Sequence, residues 1–324
     1  MRGQLINGKW TSDAAMLAIV DGRFMREDAK FRNWITADGS SGFPAERGRY
    51  HLYVSLQCPW AWRTVLYRSL KKLEAVISMT VAIPNDRREG WIFGEYPGCT
   101  PDRENGFTHL HRVYAAAKPD YTGTVSVPVL WDKHQRTIVN NESSEIIRML
   151  NREFDEFTSA RQDYYPESLR SEIDAVNARV YRAVNNGVYR AGFATTQEAY
   201  EEAYDELFGT LDWIDDRLSR QRYLVGDRAT EADWRLLATL LRFDPVYNPL
   251  MRCNQRTIAS YPNLSNYTRD LYQVPGVAET FDLRHIVTGY YSLSLNPMRT
   301  IPKGPKFFRE WLESPHDRER FATA

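Results

Sequence analysis

The spacing of apolar residues divides the chain into two regimes. Between residues 51 and 139 the apolar positions come in short β-branched or aromatic runs, whereas from residue 169 they recur every three or four positions. Residues 51–56 have the bias of a short buried strand and run directly into Gln57, Cys58, Pro59 and Trp60, which precede a helix-compatible stretch at 61–73. A second apolar run at 75–83 completes a β-α-β unit, whose crossover is expected to be right-handed. Short strands at 125–131 and 137–139, separated by a turn-like 132–136, predict a hairpin. Glu142, Ser143 and Ser144 then open a helix through Ile146, Ile147 and Leu150.

The second regime is helical throughout. Leu169, Ile173, Val176, Val180 and Val184 mark one helix, and Tyr200, Ala203, Leu207, Leu211, Ile214 and Leu218 another, with Thr195 or Thr196 available as its N-cap. Thr230 and Asp233 have capping-box spacing ahead of the apolar run 234–241: the hydroxyl accepts from a first-turn amide and the carboxylate reaches back. Three stretches lack periodicity. Residues 1–48 read as an extension, 84–121 as a long loop rich in Gly, Pro, Asp and Arg, and 296–324 as a Pro-, Lys- and Arg-rich tail. The expected organisation is an extension at 1–48, an α/β domain at 49–155, an all-α domain at 165–295 and a tail at 296–324.

Composition narrows the function. The 42 basic and 42 acidic residues cancel, so no net field draws the chain to nucleic acid or anionic lipid, and a small ligand is expected instead. Nineteen tyrosines and nine tryptophans supply enough ring surface to bring aromatic substrates into view. The longest apolar runs, such as 14–20, fall well short of the about 18 residues that span a bilayer, so a soluble, cytoplasmic protein without a membrane partner is expected. Cys58, Cys99 and Cys253 are too widely spaced for a disulfide framework or a zinc cluster. His109 and His111 lie close together but have no partner group at ligand spacing, so no metal is expected. Neither the dinucleotide-binding nor the P-loop glycine pattern occurs.

The chemistry concentrates at Cys58. A cysteine between a buried strand and a helix sits where first-turn amides and the helix dipole favour a thiolate. Pro59 suits the first helical position because no amide is wasted there, and Arg63, one turn on, is expected to add positive potential. Ala61 stands where a dithiol motif would carry its second cysteine, so any oxidised intermediate needs an outside thiol. Glutathione is the abundant candidate. An isolated cysteine more often ends as a small buried hydrophobe, the fate expected for Cys99 and Cys253.

The company of Cys58 points elsewhere. The order of strand, cysteine turn, helix, strand, loop, Val-Pro hairpin, Glu-Ser helix and helical half resembles an α/β thioredoxin-like N-terminal domain joined to the all-α C-terminal domain of glutathione transferases. Within that superfamily, the run Ser55, Leu56, Gln57, Cys58, Pro59, Trp60, Ala61, Trp62, Arg63 is similar to the signature of the glutathionyl-hydroquinone reductases, or Xi class. The segments 7–10, 127–132, 141–143, 188–194, 222–227 and 242–244, and His285-Ile286 before Tyr290-Tyr291, resemble that family too.

The resemblance implies reductive removal of glutathione from a glutathionyl-hydroquinone by a second glutathione, with Cys58 as nucleophile and glutathione disulfide as by-product. It also implies a homodimer whose small-molecule partners are glutathione and glutathionylated aromatics. A cis bond between Val127 and Pro128 would turn the Val127 backbone toward the cysteinyl part of glutathione. Glu142 would take its γ-glutamyl ammonium, Ser143 its α-carboxylate, and Trp91 would contact the tripeptide. Thr124 stands where a basic residue often lies in the family, and Arg112 or Lys118 is expected to compensate. Tyr189, Tyr247 and Tyr290 match family tyrosines around the acceptor, with the phenols of Tyr189 and Tyr290 as proton donors. Competing readings are a dehydroascorbate reductase or protein deglutathionylase, which share the mixed disulfide, and a non-enzymatic docking module, which has no need of Cys58.

Overall fold

The computed structural model describes residues 3–12, 18–85, 88–293, 295–298 and 300–321; most of the apolar run at 14–20 lies outside them. The chain forms two compact units. The first comprises Met1–Ala18, Arg26–Gln162 and Glu279–Ile301, and the second Ile19–Met25, Asp163–Ala278 and Pro302–Ala324.

The first unit is built on a four-stranded sheet. Tyr50–Val54 pairs in parallel with Ser78–Val81 and antiparallel with Val129–Asp132, which in turn pairs antiparallel with Thr137–Asn140. The parallel pair requires a crossover, supplied by the helix Pro59–Leu70. That helix begins two residues earlier than the apolar pattern suggests because Pro59 takes the first helical position. Ser143–Arg152 packs against it. Every residue of Tyr50–Val54 is buried, His51 included, and the imidazole is satisfied across the sheet: Nδ1 lies 2.7 Å from Ser78 Oγ and Nε2 2.9 Å from Thr80 Oγ1. Burial, helped by Lys133 and Arg68, pushes its pKa down to about 3.

Residues 1–48 are not without strands. Gln4–Ile6 and Lys9–Thr11 form a hairpin around Asn7 and Gly8, both at positive φ (47° and 74°), and Gln4–Ile6 also pairs with Gly123–Thr124. A second two-residue turn at Asp21 and Gly22 joins Ile19–Val20 to Arg23–Phe24, which belong to the second unit. Strands of two or three residues are too short to show a period, which is why the apolar pattern misses them.

The long segment 84–121 likewise contains a helix, Leu110–Ala117, and small bridges between Ile92 and His109 and between Tyr96 and Cys99. The close histidines line up behind Trp10: His111 stacks on its indole at 4.8 Å, and His109 lies 5.0 Å from His111. Among the described residues no group of three His, Cys, Asp or Glu is placed to hold a metal.

The helix Leu283–Tyr291 falls within the first unit, although the apolar pattern runs it on with the all-α domain. Trp62 Nε1 donates to Thr280 O at 2.9 Å, and His285 Nε2 donates to Pro97 O at 2.7 Å. Helical periodicity reveals a buried face but not the core it faces.

The second unit is helical. Arg170–Val180 runs through a π-helical turn at Tyr181–Asn185 into Gly187–Phe193, followed by Gln197–Leu218, Glu231–Arg242 and Pro262–Tyr272. Thr196 caps Gln197–Leu218 by accepting from Ala199 N at 3.3 Å. The Thr230–Asp233 capping box forms, and the buried Asp233 carboxylate also accepts from Leu224 N at 2.8 Å and Tyr267 OH at 2.7 Å. Part of the C-terminal tail is ordered here: Phe308–Glu313 is helical, and the fully buried Arg318 donates to Leu218 O at 2.8 Å. None of the described helices is long and apolar enough to cross a membrane.

Candidate active site

Cys58 occupies the N-cap of Pro59–Leu70 in extended geometry (φ −79°, ψ 121°), with no side-chain cap over the first-turn amides. Its backbone is held at both ends: Cys58 N donates to Ser55 O at 3.1 Å, and Trp62 N donates to Cys58 O at 2.9 Å. The thiol is therefore delivered to a helix N-terminus by a turn that cannot swing away. Its Sγ lies 3.8 Å from Val127 O, and the Val127–Pro128 bond is cis.

A cleft opens beside this thiol. The cysteine turn contributes Cys58 and Trp60, the long loop Gly90 and Trp91, and the segment leading into the central sheet Thr124, Val125, Ser126 and Val127. The remaining wall is Gly3, Trp10 and Arg26, from the part of the chain that the apolar pattern leaves as an extension. Pairing of Gln4–Ile6 with Gly123–Thr124 carries Gly3 and Trp10 there. Glycine is needed at two of these positions, because a Cβ on Gly3 would lie 1.9 Å from the Trp10 indole and one on Gly90 would lie 2.9 Å from it.

Of the residues expected to bind glutathione, Cys58, Trp91 and Val127 meet at this cleft, while Pro128, Glu142 and Ser143 are not on its wall. Glu142 is the N-cap of Ser143–Arg152, and its Oε1 accepts from Ser144 N at 2.9 Å and Ser144 Oγ at 2.8 Å. Ser144 rather than Ser143 is thus the hydroxyl that engages Glu142. Ser143 is buried at the first helical position.

Among the described residues, the cation on the cleft wall is Arg26. Lys118 pairs instead with Asp120 at 3.0 Å, Arg112 is not on the wall, and the Thr124 hydroxyl donates to Glu27 Oε2 at 2.8 Å. The Arg26 guanidinium lies 4.8 Å from the Trp60 ring centroid and that of Arg63 lies 4.7 Å from it. Arg63, expected to add positive potential, is buried with its guanidinium over the Trp60 ring. The hairpin turn Asn7-Gly8 was the signal in the sequence that could have located Trp10; nothing local marks Arg26.

The three tyrosines divide between the units. Tyr290 lies buried in the first, on Leu283–Tyr291. In the second, the Tyr189 and Tyr247 hydroxyls are 3.1 Å apart, their rings meet edge to face at 5.7 Å, and Phe193 stacks on Tyr189 at 6.0 Å. Cys99 and Cys253 are free and buried; desolvation pushes each thiol up to about 12, and their Sγ atoms lie 3.5 Å from Ala82 O and 3.7 Å from Met251 O respectively.

Comparison with known proteins agrees with this arrangement. Residues 57–153 match the family profile "Glutathione S-transferase, N-terminal domain" and residues 197–270 match "Glutathione S-transferase, C-terminal domain". The chain is 48% identical over 305 residues to the glutathionyl-hydroquinone reductase PcpF of Sphingobium chlorophenolicum, covering 94% of this chain and 96% of that one. It is 47% identical over 328 residues to the glutathionyl-hydroquinone reductase YqjG of Escherichia coli, covering 98% of each. Among solved structures, a Xi-class transferase from Natrialba magadii superposes with a TM-score of 0.92 at 47% identity, covering 99% of this chain and 98% of that one. The glutathione-bound structure of YqjG superposes with a TM-score of 0.89 at 46% identity, covering 98% and 99%. A thioredoxin-like unit with its cysteine at a helix N-terminus and a helical second unit are the two halves of that fold, and the chain belongs to the glutathione transferase superfamily and, within it, to the Xi-class glutathionyl-hydroquinone reductases.

Proposed function

We propose that the protein catalyses glutathione-dependent reduction of glutathionyl-hydroquinones to hydroquinones. The observation that carries this reading is the Cys58 thiol at a helix N-terminus on the wall of a cleft, 3.8 Å from the Val127 carbonyl and sharing that wall with Trp91. In the first step the Cys58 thiolate attacks the glutathionyl sulfur. A Cys58–glutathione disulfide forms, the carbon–sulfur bond breaks, and the ring carbon takes a proton to give free hydroquinone. A second glutathione thiolate then attacks the glutathionyl sulfur of that disulfide, releasing glutathione disulfide and restoring Cys58. The ring gains the two electrons that the two glutathione sulfurs, one arriving as thioether and one as thiol, lose on coupling.

Roles follow from the chemistry of each group. Val127 offers backbone pairing to the cysteinyl part of glutathione beside cis Pro128, and Trp91 a ring face. Glu142 and Ser143, at a helix start, suit the γ-glutamyl end. Arg26, on the cleft wall, is the guanidinium assigned to the glycyl carboxylate, in place of Arg112 or Lys118. Tyr189 and Tyr290 supply phenols as proton donors, while Tyr247 shares its hydroxyl contact with Tyr189 and offers a ring to the acceptor. Three buried free cysteines and dependence on reduced glutathione support a cytoplasmic setting, and the family resemblance supports a homodimer.

The test is mass spectrometry of the protein mixed with a glutathionyl-hydroquinone. Hydroquinone release together with a glutathione adduct on Cys58 is expected, and release without any adduct overturns the mixed-disulfide route.

A further inference from the structure

Glycine inside a helix lowers its stability relative to alanine, so a helical glycine whose backbone does not require it asks for a reason of space. Gly289 lies within Leu283–Tyr291 and has no positive φ. A Cβ built on it would lie 2.2 Å from both Cδ and Oε1 of Gln57 and 2.6 Å from its Nε2. Ordinary contact begins at 3.4 Å, so the carboxamide fills the volume that a side chain at 289 would take. Gln57 is itself fully buried and immediately precedes Cys58. Gly289 immediately precedes Tyr290.

The backbone is held on both sides, and the Gln57 carboxamide itself is fully buried. The cysteine turn is pinned by the hydrogen bonds of Cys58 N and Cys58 O to Ser55 and Trp62. The segment carrying Tyr290 is anchored at Thr280 by Trp62 Nε1 and at His285 by Pro97 O, and Asp282 caps its helix by accepting from His285 N at 3.0 Å. An added methyl group at 289 must displace either this buried carboxamide or the helix end that carries Tyr290.

We infer that Gln57 and Gly289 form a seat that sets Tyr290 relative to Cys58, making Gln57 a positioning residue for protonation of the departing hydroquinone carbon; this rests on the reductase reading above. The clash amounts to about 1 Å, and a misplacement of that size is worth on the order of 10²-fold in rate when it disturbs a reacting geometry.

The experiment is a double-mutant cycle read in two single-turnover assays. Gly289→Ala is expected to slow hydroquinone release from a glutathionyl-hydroquinone by on the order of 10²-fold. Formation of the Cys58 adduct from glutathione disulfide, which needs no carbon protonation, should change by less than about threefold, far below that misplacement effect. Adding Gln57→Ala should recover about tenfold or more of the lost release, because the volume is vacated. Parental release by Gly289→Ala, equal losses in both assays, or a second loss on adding Gln57→Ala each overturn the seat. If Gly289→Ala does not fold, Gln57→Ala against Gln57→Met decides: slowing by Ala alone supports the seat, and equal slowing by both overturns it. Cys58→Ser run in parallel keeps the two ideas separate, since turnover by that variant overturns the reductase mechanism, whereas a dead Cys58→Ser beside a normal Gly289→Ala overturns only the seat.

Discussion

The cleft beside Cys58 and the Tyr189–Tyr247 pair are assembled in different ways. At the cleft much of the chemistry belongs to the backbone: a helix N-terminus behind the thiol, the carbonyl of Val127 at 3.8 Å, and glycines at 3 and 90 that admit the Trp10 ring. At the tyrosine pair it belongs to side chains, two hydroxyls 3.1 Å apart within a group of rings that extends through Phe193 to Phe24. Backbone recognition suits a ligand that is itself a peptide and does not change between substrates. Ring surfaces and phenols suit an aromatic partner whose substituents vary, because stacking tolerates what a fixed set of hydrogen bonds rejects. Under the proposed function the first region would serve the constant half of the reaction and the second the variable half.

The sharpest way to break this division is at the thiol. Cys58→Ser should abolish turnover with the fold retained, since the change is nearly isosteric and oxygen forms no mixed disulfide. Cys99→Ser and Cys253→Ser, singly or together, should keep most of the activity, because both thiols are buried, pushed up to about 12 and hydrogen-bonded to carbonyls. Turnover assays with intact-mass detection of the adduct check all three. An essential Cys99 or Cys253 would replace external glutathione with an internal disulfide.

Next in size are the phenols. Tyr189→Phe and Tyr290→Phe keep the rings and delete the donors, and general acid catalysis is worth about 10²–10⁴-fold. The double variant should lose a factor in that range in single-turnover hydroquinone release, yet still form the Cys58 adduct from glutathione disulfide. A release rate within about threefold of the parent, well below the acid-catalysis range, would make these tyrosines pocket walls only.

How legible each region is in the sequence follows from how local its parts are. The strand–Cys58–Pro59–helix turn, the cis Val127–Pro128 bond and the Thr230–Asp233 capping box are set by residues within a few positions of one another, and each is where the motif places it. Trp10 reaches the cleft only because residues 4–5 pair with 123–124, far away in sequence, and the one local trace of that pairing is the Asn7-Gly8 turn. Helical spacing announces Leu283–Tyr291, but its membership of the first unit depends on Trp62, Pro97 and Gln57, which no period encodes. The tail helix Phe308–Glu313 is too short to register at all.

Arg26 is the next finer test, because it is a side-chain cation in a site otherwise made largely by backbone. Arg26→Leu should raise the glutathione KM and leave kcat nearly unchanged, as removal of a ground-state contact does. A charge-assisted hydrogen bond contributes about 1.5–3 kcal/mol, so an increase of about tenfold to a hundredfold is expected at about 1.4 kcal/mol per decade. Arg112→Leu and Lys118→Leu, away from the cleft wall, should leave KM at the parental value. Steady-state kinetics with varied glutathione distinguishes the three, and an effect at Lys118 equal to that at Arg26 would return the carboxylate to the long loop.

Acid should separate the two units by the smallest margin, through groups that no step of the reaction uses. His51 in the first unit has its pKa pushed down to about 3 by burial, against an unfolded value of about 6.5. As pH falls below about 6.5, the unfolded chain binds a proton that the native imidazole refuses, so stability is lost progressively toward pH 3. At pH 5 that loss is about 2 kcal/mol relative to pH 7. Asp233 in the second unit has the opposite sign: burial raises its folded pKa, so folding favours the protonated form and acid adds stability there. Urea denaturation at pH 7 and pH 5 should show the parent losing stability, while His51→Gln, less stable at pH 7 for want of the imidazole, loses less on acidification. Equal losses in the two proteins would move the acid-sensitive group out of the central sheet.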